Sequence, residues 1–178
     1  LRLALLVSSF VALLAFALLL LTERSTPRWK LWTPLAAILL LWLLGAVVLA
    51  ARFQLEPLVA VTLADNLARY SIGIPAALLG AWALMAQQRI FREHDMSQFG
   101  RDLVWAAAAL LLYGVIGQLF VRESVLAPSQ WLNSDHFLAW FGVPVQLFRA
   151  VMAAALTIFL LRALRAWRGA LDGQGAPG

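Results

Sequence analysis

Five long apolar runs dominate this chain of 178 residues, each close to the roughly 20 residues a helix needs to cross a hydrocarbon core. They cover residues 3–22, 31–51, 68–87, 103–121 and 144–162, with an earlier helix start near Leu63 expected for the third and an interfacial apolar stretch from His136 expected before the fifth. Inside a bilayer every backbone N–H and C=O must be satisfied within the protein, so continuous apolar runs of this length can only be helices. The sequence therefore predicts an all-α fold, a polytopic transmembrane helix bundle with five spans. Composition agrees: 63% of residues are hydrophobic and 13% charged, where a soluble domain carries about 25% charged residues. The expected organisation is a transmembrane helical domain over residues 1–167 and a flexible tail over 168–178.

Lys and Arg placement sets the expected orientation. Arg24, Arg28 and Lys30, then Arg89, Arg92 and Arg101, then Arg162, Arg165 and Arg168 fall on one side, nine of the fourteen basic residues. Arg2, Arg52, Arg69 and Arg122 fall toward the other, with Arg149 inside a span. The richer side is read as cytoplasmic, which places the amino end outside and the carboxyl end in the cytoplasm. Tryptophans fit interfacial belts, with Trp29, Trp32, Trp105 and Trp167 at the inner boundary and Trp131 and Trp140 at the outer one. The net charge of +5 sits in short connections and marks topology; it does not point to nucleic acid.

Several chemistries find no residues here. There is no cysteine, which removes disulfides and thiolate ligands. The single lysine, Lys30, lies in a loop, so no Schiff base can form within a span. His94 and His136 fall on opposite sides and cannot hold a haem between them. The run REHD at 92–95 reads as a solvated charged loop. No metal site, phosphate loop or Ser-His-Asp set is present, no cofactor is implied, and no internal repeat of the transporter kind is visible.

One position stands out. Arg149 lies within the fifth apolar run, where a charge near mid-bilayer costs about 2.5–3.5 kcal/mol. Thirteen residues separate it from Arg162, roughly 20 Å along a helix, which puts it in the outer half of the membrane. Other polar residues gather at that level: Asp65, Asn66, Arg69 and Tyr70 from the third span, Gln118 and Arg122 from the fourth, Ser129, Asn133, Asp135 and His136 from the following loop, and Gln146 from the fifth. Asp65 and Arg69 share a helical face at i,i+4 spacing, and Gln146 and Arg149 share one at i,i+3. Asp65 or Asp135 is the expected counter-charge for Arg149. The candidate ligand-binding residues are Asp65, Arg69, Tyr70, Asn133, Asp135, His136, Gln146 and Arg149, for an unknown small molecule or lipid. The alternative is that the same residues only hold helices together. Pro75, Gly142 and Pro144 are candidate hinges, with a kink expected at Pro75.

Three stretches, LLVSSFVALLAFALLLL at 5–21, ARYSIGIPAALLGAWAL at 68–84 and LNSDHFLAWFGVPVQLFRAVMAAALTIFLLRALRAW at 132–167, together resemble the multi-helix membrane input region of bacterial sensor histidine kinases and related signalling proteins. In that family the last helix carries a similar Gly-Val-Pro-Val-Gln-x-Phe-Arg run and continues into a cytoplasmic output module. The resemblance implies two helices before Leu1 in a seven-span unit, a location in the bacterial inner membrane, a homodimer and a cytoplasmic effector of a two-component system. The sequence departs from the family pattern by ending at GALDGQGAPG: either it is cut there, ahead of an output module, or the natural protein lacks one, which would favour a subunit role over a sensory one. A stimulus at Arg69, Asn133, Gln146 and Arg149 would pivot the last helix at Gly142–Pro144 and pass through Leu160, Arg162, Leu164 and Trp167. The rival expectation is a non-catalytic subunit of a larger membrane complex.

Overall fold

The computed structural model describes residues 1–22, 27, 29–93 and 97–174, and the side chains of these except 31, 90–93, 97–99 and 166–174. Among them, the fold is all-helical without a strand, and five helices are long and apolar enough to cross a membrane. Arg24, Arg28, His94 and Asp95, together with the side chains of Arg92, Trp167 and Arg168, lie outside the described residues.

α1 (Arg2–Leu21) and α2 (Trp29–Arg52) are the first two spans. α2 ends in a Schellman turn: Leu55 N–H donates to Ala50 O at 3.0 Å and Gln54 N–H to Ala51 O at 3.2 Å, with Gln54 at φ 48. That turn satisfies carbonyls which the last helical turn leaves open. Pro57 then opens α3 (Pro57–Ala68) at a position where its missing N–H removes no helical bond.

The third span starts at Pro57, ahead of the apolar run at 68 and of the earlier start expected near Leu63. α3, a π turn (Arg69–Gly73) and α4 (Ile74–Glu93) follow one another without a break. Asp65, Asn66 and Arg69 lower the local hydropathy without ending the helix, because their polar groups find partners within the bundle. Where a kink at Pro75 was expected, the structure has the π turn just before it, closed by Ile74 N–H on Arg69 O. Widening the turn ahead of proline makes room for a residue that cannot donate to the ladder.

The fourth span is α5 (Ser97–Leu111), a second π turn (Leu112–Ile116) and the single turn α6 (Gly117–Leu119). A loop then leads to α7 (Ser134–Phe141), and α8 (Val145–Gln174) is the fifth span. α8 remains helical through 168–174, the first part of the expected tail; residues 175–178 lie outside the described residues.

Packing centres on the third and fourth spans. α1 and α5 lie against α4, α8 lies against α5, and α2 lies against α3. Small residues make the central contact: Ala77 and Ala81 with Leu84 meet Leu103, Ala106, Ala107 and Leu110. A Cβ built on Gly114 would collide with Ala77, and one on Gly80 would lie 2.9 Å from Leu110 Cδ2. Close backbone approach of this kind gains dispersion where no hydrophobic effect is available to drive helix association. Phe10 of α1 fills the space over Gly73, 2.9 Å from where a Cβ would stand. Trp42 Nε1 donates to Ala64 O at 3.1 Å and ties α2 to α3.

The flanking faces are apolar and open, as at Leu40 and Leu41 of α2, 66% and 69% exposed. Such faces suit lipid contact. Hydroxyls on the spans bond back to their own helices: Ser9 to Leu6 O, Thr62 to Leu58 O, Ser71 to Leu67 O and Thr157 to Ala153 O. They are locally satisfied. Among the described residues, the buried polar side chains other than Asp102 (Asn66, Arg69, Gln118, Ser129 and Asn133) lie toward the end of the bundle where α1, α3 and α8 begin and α6 finishes.

Candidate functional site

The fourth span stops at Leu119, and Phe120 leaves the helix at φ -85 and ψ 86. A helix end leaves its last carbonyls without intrahelical donors, and these carry the negative end of the dipole. Side chains of two neighbouring spans supply what is missing. Arg149 Nε donates to Gly117 O at 2.5 Å and its Nη2 to Phe120 O at 2.8 Å. Tyr70 Oη donates to Leu119 O at 3.3 Å, and Asn66 Nδ2 to Arg122 O at 2.8 Å.

Arg69 completes the arrangement. It is 6% exposed, its Nε donates to Asp65 Oδ2 at 2.8 Å, and its Nη1 donates to Gln118 Oε1 at 2.6 Å. The i,i+4 pair expected from spacing is therefore present. Gln118, 1% exposed, and Asn66, fully buried, each keep one side-chain atom without a hydrogen-bond partner among the described residues: Gln118 Nε2, a donor, and Asn66 Oδ1, an acceptor.

Arg149 is half-buried on the second turn of α8, about 6 Å along the axis from Val145. Its expected carboxylate partner is absent. Asp65 is engaged by Arg69, Asp135 stands exposed on α7, and neither is within ion-pair distance of Arg149. The carbonyls of the fourth span replace a carboxylate: cationic donors at a helix C-terminus complement both the open acceptors and the dipole. Gly117 makes the approach possible, since Arg149 Cγ lies 3.1 Å from where a Cβ would be.

Beside this network is a cleft of about 230 Å³. Arg2, Asp65, Arg69, Arg122, Gln146 and Arg149 line its polar part, while Leu3, Leu58 and Val61 line the apolar part. Of the residues expected at a site, Asp65, Arg69, Gln146 and Arg149 are thus brought together. Tyr70 is tied to Leu119 O and does not line the cleft. Asn133 caps α7 instead: its Oδ1 accepts from Asp135 N–H at 3.1 Å and His136 N–H at 3.0 Å. His136 is exposed, its ring 6.0 Å from that of Trp140.

Compared with protein-family models, curated proteins and solved structures, the chain gives no match.

At Gly142–Pro144, the expected hinge, the chain breaks between α7 and α8. Gly142, at φ 69, closes α7 by donating its N–H to Leu138 O, and Pro144 O accepts the first bonds of α8 from Leu147 and Phe148. The interruption is anchored from beneath, because Val145 is buried in a cluster with Phe120 and Phe137. Sequence inspection missed the carbonyls of Gly117, Leu119 and Phe120 as the acceptors. A glycine one turn before the end of an apolar run was the only available signal. It also missed Thr62 and Ser134, which line the cleft.

At the opposite end α8 is held again, by Arg162 Nε 3.3 Å from Asp102 Oδ2. The fifth span thus meets the fourth through an arginine near each end, with the apolar contacts of Leu156, Phe159 and Leu160 between them.

Proposed function

We propose that this chain is the membrane-embedded input region of a bacterial signal-transduction protein, placed in the inner membrane with its carboxyl end in the cytoplasm. The observation that carries the proposal is the course of α8. One helix starts at the Gly142–Pro144 interruption, forms a wall of the charged cleft through Gln146 and Arg149, and continues without a break to Gln174. A change at the cleft end displaces the far end only if a ligand has different affinities for two placements of that helix. The effector would be a cytoplasmic module after α8, such as a histidine kinase, and the working unit a homodimer.

Because the chain has no cysteine, two introduced cysteines can be spin-labelled selectively. Leu78 of α4 and Leu164 of α8 are both exposed and suit Leu78→Cys and Leu164→Cys. Pulsed EPR in lipid nanodiscs would compare this pair with and without Arg149→Gln. A shifted or newly bimodal distance distribution is expected. An unchanged single distribution in a folded protein would sink the sensing reading.

A second reading has its own support. Arg149 already has two carbonyl partners, as a residue that only joins helices would. In that case the chain is a non-catalytic subunit of a membrane complex, and α8 has a single position.

A further inference from the structure

We infer that the cleft between α1, α3 and α8 binds the phosphodiester of an anionic phospholipid, with the lipid's chains lying outside over Leu3, Leu58 and Val61. Charge is the first argument. The lining carries four guanidiniums, of Arg2, Arg69, Arg122 and Arg149, against the one carboxylate of Asp65. That carboxylate is paired with Arg69. Among the described residues no carboxylate is within ion-pair distance of Arg2, Arg122 or Arg149. Guanidiniums without a carboxylate partner complement a phosphate in both charge and planar donor geometry.

Unused donors are the second argument. Arg149 spends Nε and Nη2 on carbonyls, and its Nη1 has no protein partner among the described residues. Val145 and Gln146 open a 30-residue helix and also line the cleft. Their N–H groups precede the first intrahelical bonds, which are made by Leu147 and Phe148. Guanidinium donors beside a helix N-terminus match phosphate oxygens in both charge and hydrogen bonding.

Size and exposure separate a lipid from a free anion. A cleft of about 230 Å³ holds the space of about eight waters, enough for a phosphodiester and its glycerol but not for acyl chains. Leu58 and Val61 are 80% and 52% exposed on the first turns of α3, next to the polar lining, where chains leaving the cleft would run. A choline headgroup would bring its own cation toward the arginines, so an uncharged glycerol headgroup is favoured. The inference goes beyond signalling: the cleft would bind lipid whether or not α8 moves.

The test uses the whole chain in detergent, titrated with short-chain phosphatidylglycerol, phosphatidylcholine and inorganic phosphate and followed by native mass spectrometry. Phosphatidylglycerol should bind roughly tenfold more tightly than phosphatidylcholine, with inorganic phosphate a poor competitor. Arg122→Gln should weaken phosphatidylglycerol roughly tenfold, the worth of one charge-assisted contact. Arg122 is exposed and its side chain takes no part in the described hydrogen bonds, so this variant keeps the fold. Equal binding of the two lipids, or no effect of Arg122→Gln, would overturn the inference. Efficient displacement by inorganic phosphate would also overturn it and make the occupant a free anion. None of these outcomes depends on the spin-label distances, so the two proposals can fail separately.

Discussion

Arg149 and Gly117 fit each other as donor and vacancy: the guanidinium bonds the glycine's carbonyl at 2.5 Å, and the arginine's Cγ lies 3.1 Å from where that glycine would carry a side chain. One methyl group at Gly117 must push the arginine stem outward. Gly117→Ala is expected to cost about 1 kcal/mol, the low end for overpacking against a side chain that can shift. Thermal unfolding in detergent would show this as a lowered midpoint, and an unchanged midpoint would mean that the contact is slack.

Arg149→Lys keeps the charge but replaces a planar fork with a point donor. Lysine cannot reach the carbonyls of Gly117 and Phe120 in the same two-bond geometry. The variant should lose about 1 kcal/mol, roughly the net worth of one hydrogen bond, while Arg149→Gln should lose more. Equal stability of Arg149→Lys and the parent would show that charge alone suffices at this helix end.

Asp65 is bound to Arg69 and not to Arg149, and a pair of double-mutant cycles distinguishes the two partners. Asp65→Asn combined with Arg69→Gln should show a coupling of about 1 kcal/mol or more, as for groups in direct contact. Asp65→Asn combined with Arg149→Gln should be additive within about 0.5 kcal/mol. Reversal of that order would place the carboxylate with the other arginine.

Two glycines should respond to alanine for different reasons. At Gly114 the new methyl meets the Cβ and backbone of Ala77, and Gly114→Ala should cost about 1–3 kcal/mol through overpacking of the third and fourth spans. At Gly142 there is open space but φ is 69, so Gly142→Ala should cost about 1–2 kcal/mol through left-handed strain alone. Replacing Gly142 with Asn, which tolerates that conformation, should recover part of the loss; at Gly114 the same replacement should make matters worse.

The spans were legible because twenty apolar residues in lipid have one backbone solution. The Asp65–Arg69 pair was legible because both ends lie on one helix, where spacing is geometry. The partner of Arg149 was not, since main-chain carbonyls have no letter in a sequence and only become acceptors where a helix ends. The start of the third span was legible only in part, as a start near Leu63 where the helix begins at Pro57, because polar residues that find partners across the bundle look, in isolation, like the end of a hydrophobic segment. Asn133 belonged to the polar group by depth, yet its side chain is turned to the first N–H groups of α7, a local use that depth cannot reveal.

The π turns at 69–73 and 112–116 make the polar end a matter of helical phase. Each widened turn takes in one residue more than a regular helix would, and one residue is about 100° of rotation. Deleting a single residue from the first turn would let the third span run as an ordinary α-helix with its backbone bonds intact. Everything on its amino-terminal side would then be swung by that angle, carrying Asp65 and Arg69 away from Gln118. The helix would survive such a deletion, and the cluster would not.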